Sequence, residues 1–217
     1  RLFVPRKYLQ GAKVPLVLML HGGGGDENYF PEMEDGKILK IADERGYMLA
    51  APRGHFRSRE TWFEDMVQLI AELKAEYPQI DGDRVYVTGI SMGGHGSAML
   101  ASRHPHLFAA ITCVSGVATA ETVDSLRNVP VQILHGGSDD VVPLSRVQPV
   151  ADRLKEQGVE FYLNRQVTKL KRRDGVWHLA AKSINRPTLR HTAKTVFVGG
   201  GGGSLHLLQK SGIPEIK

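Results

Sequence analysis

The sequence predicts a layered α/β fold built on a mainly parallel sheet. Two observations carry that expectation. Short runs that are apolar at nearly every position alternate with stretches of helical periodicity, and such runs suit strands buried on both faces between helical layers. Polar, glycine-rich loops follow three of these runs, at the carboxyl ends where open α/β sheets gather their chemistry. The length of 217 residues is enough to bury one good core.

The elements follow in order. VPLVLML, residues 14–20, reads as the first strand, and a helix is predicted over 31–45. Residues 48–51 form the next apolar run. The clearest helix is predicted over 60–77, where Trp62, Phe63, Met66, Val67, Leu69, Ile70, Leu73 and Tyr77 fall on one stripe at helical spacing. A strand over 84–88 leads into a helix over 92–103. Strands over 111–114 and 131–134 follow, then a helix over 145–157 and a strand over 159–163. Strands separated by helices join through right-handed crossovers.

Three loops stand at the strand ends: His21-Gly22-Gly23-Gly24-Gly25-Asp26, Gly89-Ile90-Ser91-Met92-Gly93 and His135-Gly136-Gly137-Ser138-Asp139-Asp140. The second is the most informative. A serine on a sharp strand-to-helix turn is held in a strained conformation, which explains glycine two residues to either side, and its hydroxyl stands beside the positive end of a helix. Such a hydroxyl becomes a nucleophile when a base takes its proton, a carboxylate orients the base and fixed N–H groups receive the oxyanion. Gly23 and Met92 are the candidate backbone donors. No Gly-Lys-Ser/Thr follows the four glycines, which argues against a phosphate loop. Asp139 is the candidate acid and Asp140 its immediate rival; both could instead cap the helix starting near Leu144. His21 and His135 read as hydrogen-bonded loop histidines. His95, His104 and His106 lie on or after the helix that follows Ser91.

Composition adds limits. Hydrophobic residues make up 41% and charged residues 24%, ordinary for a globular protein, and no apolar run approaches the ~20 residues of a membrane span. The single Cys113 sits in an apolar run and reads as a buried structural thiol. One cysteine excludes an internal disulfide, and with no signal peptide visible the cytoplasm is slightly favoured. The net charge of +5 is uneven: residues 1–159 carry 17 basic and 20 acidic side chains, residues 160–217 carry 11 and 3. Lys169-Leu170-Lys171-Arg172-Arg173 reads as a solvated hairpin edge rather than a nucleic-acid patch, because no aromatics interleave the charges.

LVLMLHGGGGDENYF, IDGDRVYVTGISMGGHGSAMLASRHPHLFAAITCVSG and VQILHGGSDDVVP together give residues 11–158 a resemblance to the small esterase branch of the α/β-hydrolases, the group of feruloyl esterases, polyhydroxyalkanoate depolymerases and phospholipase/carboxylesterases. The resemblance implies a three-layer sandwich and a triad with Ser91 as nucleophile. Its H-G-x-x-D-x-x-V-P pattern selects Asp139 over Asp140 as acid. That family carries its histidine shortly after the last strand, where this chain has none. Instead GVEFYLNRQVTKLKRRDGVWHLAAKS and TVFVGGGGGSLHLLQKSGIPE resemble a fragment of malate:quinone oxidoreductase, a flavoprotein. The chain therefore reads as a fusion of an α/β-hydrolase body, 1–158, with an atypical C-terminal segment, 159–217, that completes or extends the same domain. The fragment is too short for a flavin site, so no FAD or other cofactor is expected, and no metal.

Three tail histidines are candidates for the base. His178 lies in a hairpin, Val176 to Leu179, and His191 in a polar connection. His206 follows a strand over 195–198 and the five glycines 199–203 and opens a helix at Ser204, the topology the missing base needs, so His206 is preferred. The expected activity is serine carboxylic-ester hydrolysis of short-chain esters through an acyl-enzyme. The expected partner is a small-molecule ester, with no nucleic acid and no membrane. Alternatives are a peptidase or thioesterase on the same scaffold, or a non-catalytic remnant with a basic binding tail.

Overall fold

The computed structural model describes residues 1–54, 61–116, 119–156, 166–183 and 186–193. The chain divides into two compact units, Arg1–Gln157 and Gly158–Lys217.

The first unit is built on a six-stranded sheet. Its strands are β1 (Leu2–Phe3), β2 (Val14–Leu20), β3 (Met48–Ala50), β4 (Ile80–Ile90), β5 (Ala110–Val114) and β6 (Val131–Leu134), in the spatial order β1-β3-β2-β4-β5-β6. β1 runs antiparallel to β3 and every other pairing is parallel. The helices are α1 (Arg6–Leu9), α2 (Tyr29–Glu32), α3 (Lys37–Arg45), α4 (Thr61–Glu76), α5 (Met92–Arg103), α6 (Ala120–Ser125) and α7 (Leu144–Glu156).

The two faces of β2 show why the molecule is layered. Successive side chains of a strand point to opposite faces. Val14, Leu16, Leu18 and Leu20 enter one apolar cluster with Trp62, Phe63, Met66, Ile70 and Leu73 of α4 and with Ala98, Leu100 and Ala101 of α5. Met19 and the partly buried Val17 enter a second cluster with Leu49, Ala42 and Leu39. A strand apolar at every position is what two helical layers require, and the α/β-hydrolase sandwich is the architecture observed. The stripe on α4 is buried as its spacing predicts, with Val67, Leu69 and Tyr77 packed at its margin.

Several elements depart from expectation. The helix predicted over 31–45 is two helices, because Glu34, Asp35 and Gly36 all take positive φ (48°, 55° and 74°), and consecutive left-handed residues cannot continue a right-handed helix. β4 begins at Ile80 rather than 84, with a register irregularity opposite Val14 and Leu16. β1, α1 and α6 are too short to leave a periodic signal. The strand expected over 159–163 lies outside the described residues.

The second unit holds a three-stranded antiparallel sheet, β7 (Gln166–Arg173), β8 (Val176–Ser183) and β9 (Arg186–Ala193), in that order. The β7–β8 turn is Asp174-Gly175, both at positive φ (50° and 77°), the backbone of a type I′ hairpin. His178 sits in the central strand. His191, expected in a polar connection, is instead a ladder residue of β9 opposite Leu179; the mostly polar run RPTLRHTA, without regular alternation, hid that strand.

Candidate active site

Register brings the site together before any side chain is considered. Leu20 of β2 pairs with Gly89 of β4, Ile90 with Val114 of β5, and Val114 with Leu134 of β6. Parallel neighbours therefore end side by side, and the loops starting at His21, Ser91, Ser115 and His135 rise from one edge of the sheet.

Ser91 is the N-cap of α5 with φ 53° and ψ −113°, a region that costs a non-glycine residue of order 1–3 kcal/mol. Backbone contacts hold it there. The Ser91 amide donates to the Val114 carbonyl at 2.7 Å, and the His95 amide donates to the Ser91 carbonyl at 3.0 Å. A Cβ at Gly89 would lie 2.3 Å from the Gly93 carbonyl carbon and oxygen, and a Cβ at Gly93 would lie 2.0 Å from the Leu20 carbonyl oxygen. Glycine at both positions is thus a steric necessity set by the neighbouring strand. A Cβ at Gly116 would lie 2.0 Å from the Ser91 carbonyl oxygen. Sequence reasoning passed over Gly116; the Ser115-Gly116 pair directly after an apolar strand was the available signal.

The first glycine loop abuts this turn. A Cβ at Gly22 would meet the Ser91 Cβ at 3.7 Å, whereas Gly23 has nothing within 4 Å of where its Cβ would stand. The Gly25 amide donates to the Gly22 carbonyl at 3.1 Å with Gly24 at φ 78°, closing a tight turn that leaves Gly23 at an open tip. Met92 is the first helical residue after Ser91, and amides of a helix's first turn lack intrahelical acceptors. His21 is buried and its Nδ1 donates to the Gly22 carbonyl at 2.8 Å.

Asp139 is half-buried while Asp140 is exposed. One Asp139 carboxylate oxygen accepts the Val142 amide at 2.9 Å and the Val141 amide at 3.0 Å. This turn closes before α7 begins at Leu144, so Asp139 organises its own loop and does not cap the helix. The Val142 amide holds its carboxyl below the ordinary carboxylate value; the Val141 amide, the Ser115 side chain and His135 act in the same direction against partial burial. His135 Nε2 donates to the Val142 carbonyl at 2.7 Å and braces the same loop.

Within residues 1–157 no described imidazole is hydrogen-bonded to the Ser91 hydroxyl. His104 terminates α5 and faces Glu64 at 3.5 Å, roughly 20 Å along the helix from Ser91. His206 and the segments 195–198 and 199–203 lie outside the described residues, and His178 and His191 belong to the second unit. Cys113 is buried and its thiol is pushed up to about 12 by burial, as befits a structural residue. No cluster of three or more metal-ligating side chains occurs among the described residues, and no helix there is long and apolar enough to cross a membrane.

Comparison with known proteins finds two different likenesses along the chain, and the second begins inside the first unit. The profile of the Prolyl oligopeptidase family matches residues 51–132, and that of Malate:quinone oxidoreductase matches residues 124–217. The chain is 31% identical over 150 residues to a bifunctional acetylxylan esterase/xylanase, XynS20E, of Neocallimastix patriciarum, covering 66% of this chain and 22% of that protein. It is 54% identical over 68 residues to a probable malate:quinone oxidoreductase of Geobacillus sp. (strain WCH70), covering 30% of this chain and 13% of that protein. The chain thus spans less than a quarter of either of these relatives. Among solved structures, a thermostable esterase superposes with a TM-score of 0.55 at 28% identity, over 73% of this chain and 48% of that one. The molecule joins an esterase-like body of α/β-hydrolase fold to a malate:quinone oxidoreductase-like segment.

Proposed function

We propose that this chain is a serine carboxylic-ester hydrolase acting on short-chain esters through an acyl-enzyme. The observation that carries the reading is Ser91, held at φ 53° by glycine-only contacts at the mouth of a helix that starts on a strand end beside the first glycine loop. Ser91 Oγ attacks the ester carbonyl and an imidazole accepts its proton. The amides of Gly23 and Met92 receive the oxyanion. The imidazole then protonates the leaving alcohol, and water, deprotonated by the same base, releases the acid and regenerates the serine. Asp139, kept ionised by its amide donors, orients the imidazole. His206 is the proposed base, with His178 and His191 as the competing candidates. The chain is proposed to comprise a body, 1–158, and a C-terminal segment, 159–217, that completes or extends the same domain.

A peptidase activity is the second reading, favoured by the match to the Prolyl oligopeptidase family profile. One panel separates these readings: p-nitrophenyl acetate and a peptide p-nitroanilide offered to wild type, Ser91→Ala, His178→Ala, His191→Ala and His206→Ala. The expected outcome is ester turnover that falls by about 10³-fold or more in Ser91→Ala and His206→Ala and persists in the other two. Turnover unchanged in Ser91→Ala would refute the enzyme, and unchanged turnover in His206→Ala would move the base elsewhere. Cleavage of the anilide in preference to the ester would favour the peptidase.

A further inference from the structure

The second unit carries a feature the hydrolase reading does not use. Side chains on one face of its sheet follow from register. Lys169 pairs with Ala180 and Ala180 with Arg190; Lys171 pairs with His178 and His178 with Thr192. Arg173 extends the row. These residues line a concavity of about 440 Å³, within the size range of small-molecule sites. Lys169, Lys171, Arg173, His178, Arg190 and Thr192 are all exposed.

Charge makes the groove unusual. The described residues of this sheet hold seven lysines and arginines against one acid, Asp174, in the hairpin turn. Among the described residues none of the four groove cations has an ion-pair partner. Charges on one outer strand would be explained by protection of an open edge. Here Lys169 on β7 and Arg190 on β9 face each other across Ala180, two strand spacings or about 9.6 Å apart, with the small alanine as the floor. Like charges gathered around a gap repel one another, and an anion in the gap relieves that repulsion.

We propose that this groove binds a small molecule bearing a di- or triphosphate group. Lys169, Lys171 and Arg173 recur every second residue along about 13 Å of strand, too long a row for one oxyanion and suited to a short phosphate chain. The two guanidinium forks match phosphate oxygens in pairs, and Thr192 adds a neutral donor. A nucleic-acid strand is disfavoured because the described residues of this face include no Phe, Tyr or Trp on which bases could stack; Trp177 is on the opposite face with Arg172, whose guanidinium lies 6.0 Å from its ring centre.

The test is calorimetric titration of the full chain with sodium tripolyphosphate at low salt. Saturable one-to-one binding is expected, weakened at least tenfold in the double variant Lys171→Gln, Arg190→Gln and by less than twofold in Lys182→Gln, which lies outside the groove. Thr192→Arg, which adds a fifth cation, should tighten binding, an outcome a misfolded variant cannot mimic. Absence of saturable binding, equal weakening by Lys182→Gln, or tighter binding of a twenty-nucleotide oligothymidylate than of tripolyphosphate would each overturn the proposal.

Discussion

Asp139 takes its character from the backbone around it. Two amides and the Ser115 side chain favour its charged form, and the same donors fix where it points. Asp139→Asn should leave KM nearly unchanged and lower kcat by about 10⁴-fold, because an amide stabilises the wrong imidazole tautomer. Stability carries a second signature. Folding lowers this pKa, so the group's contribution is complete above the ordinary carboxylate value of about 4 and fades as pH falls through the lower folded value. Urea midpoints measured from pH 7 to pH 3 should therefore fall less steeply at the acid end in Asp139→Asn than in wild type; parallel curves would show that the amides do not act on the charge.

The strand-to-helix turn between β4 and α5 is the element on which the site rests. Its geometry is imposed from both sides, by the Leu20 carbonyl of β2 and by Val114 and Gly116 at the end of β5. Gly93→Ala should cost about 3 kcal/mol, because backbone 2.0 Å away must move to admit a methyl group. Gly23→Ala, with open space at its tip, should cost less than about 0.5 kcal/mol. Urea unfolding of both variants checks the contrast, and similar midpoints would refute the steric account. The turn was legible in the sequence because glycine at 89 and 93 is a local trace of a tertiary constraint. The part Ser115 plays in holding the Asp139 carboxyl low was not, since it acts from the end of β5 on the loop after β6 and no local pattern records that neighbourhood. The break at Glu34–Gly36 stayed hidden for a related reason, since two of its three left-handed residues are not glycine.

At the scale of the whole molecule, two compact units share one chain that joins an esterase-like part to a malate:quinone oxidoreductase-like part. The body carries its layered architecture openly, because β2 is apolar at every position and α4 holds a clean stripe. The tail's sheet was half legible: the basic hairpin shows in its composition, while β9, with polar and apolar residues in uneven alternation, does not. The proposed chemistry asks the body for a nucleophile, an acid and amide donors, and asks the later sequence for an imidazole. A fluorophosphonate probe reads that sum directly, since it forms an adduct only with a serine whose proton a base removes. Peptide mass mapping of the full chain after exposure to the probe should find one equivalent of adduct on the peptide containing Ser91, forming more slowly as pH falls below about 6.5, where an imidazole takes up a proton. A protein left unmodified, or modified at another residue, would contradict the assignment of Ser91 as an activated nucleophile.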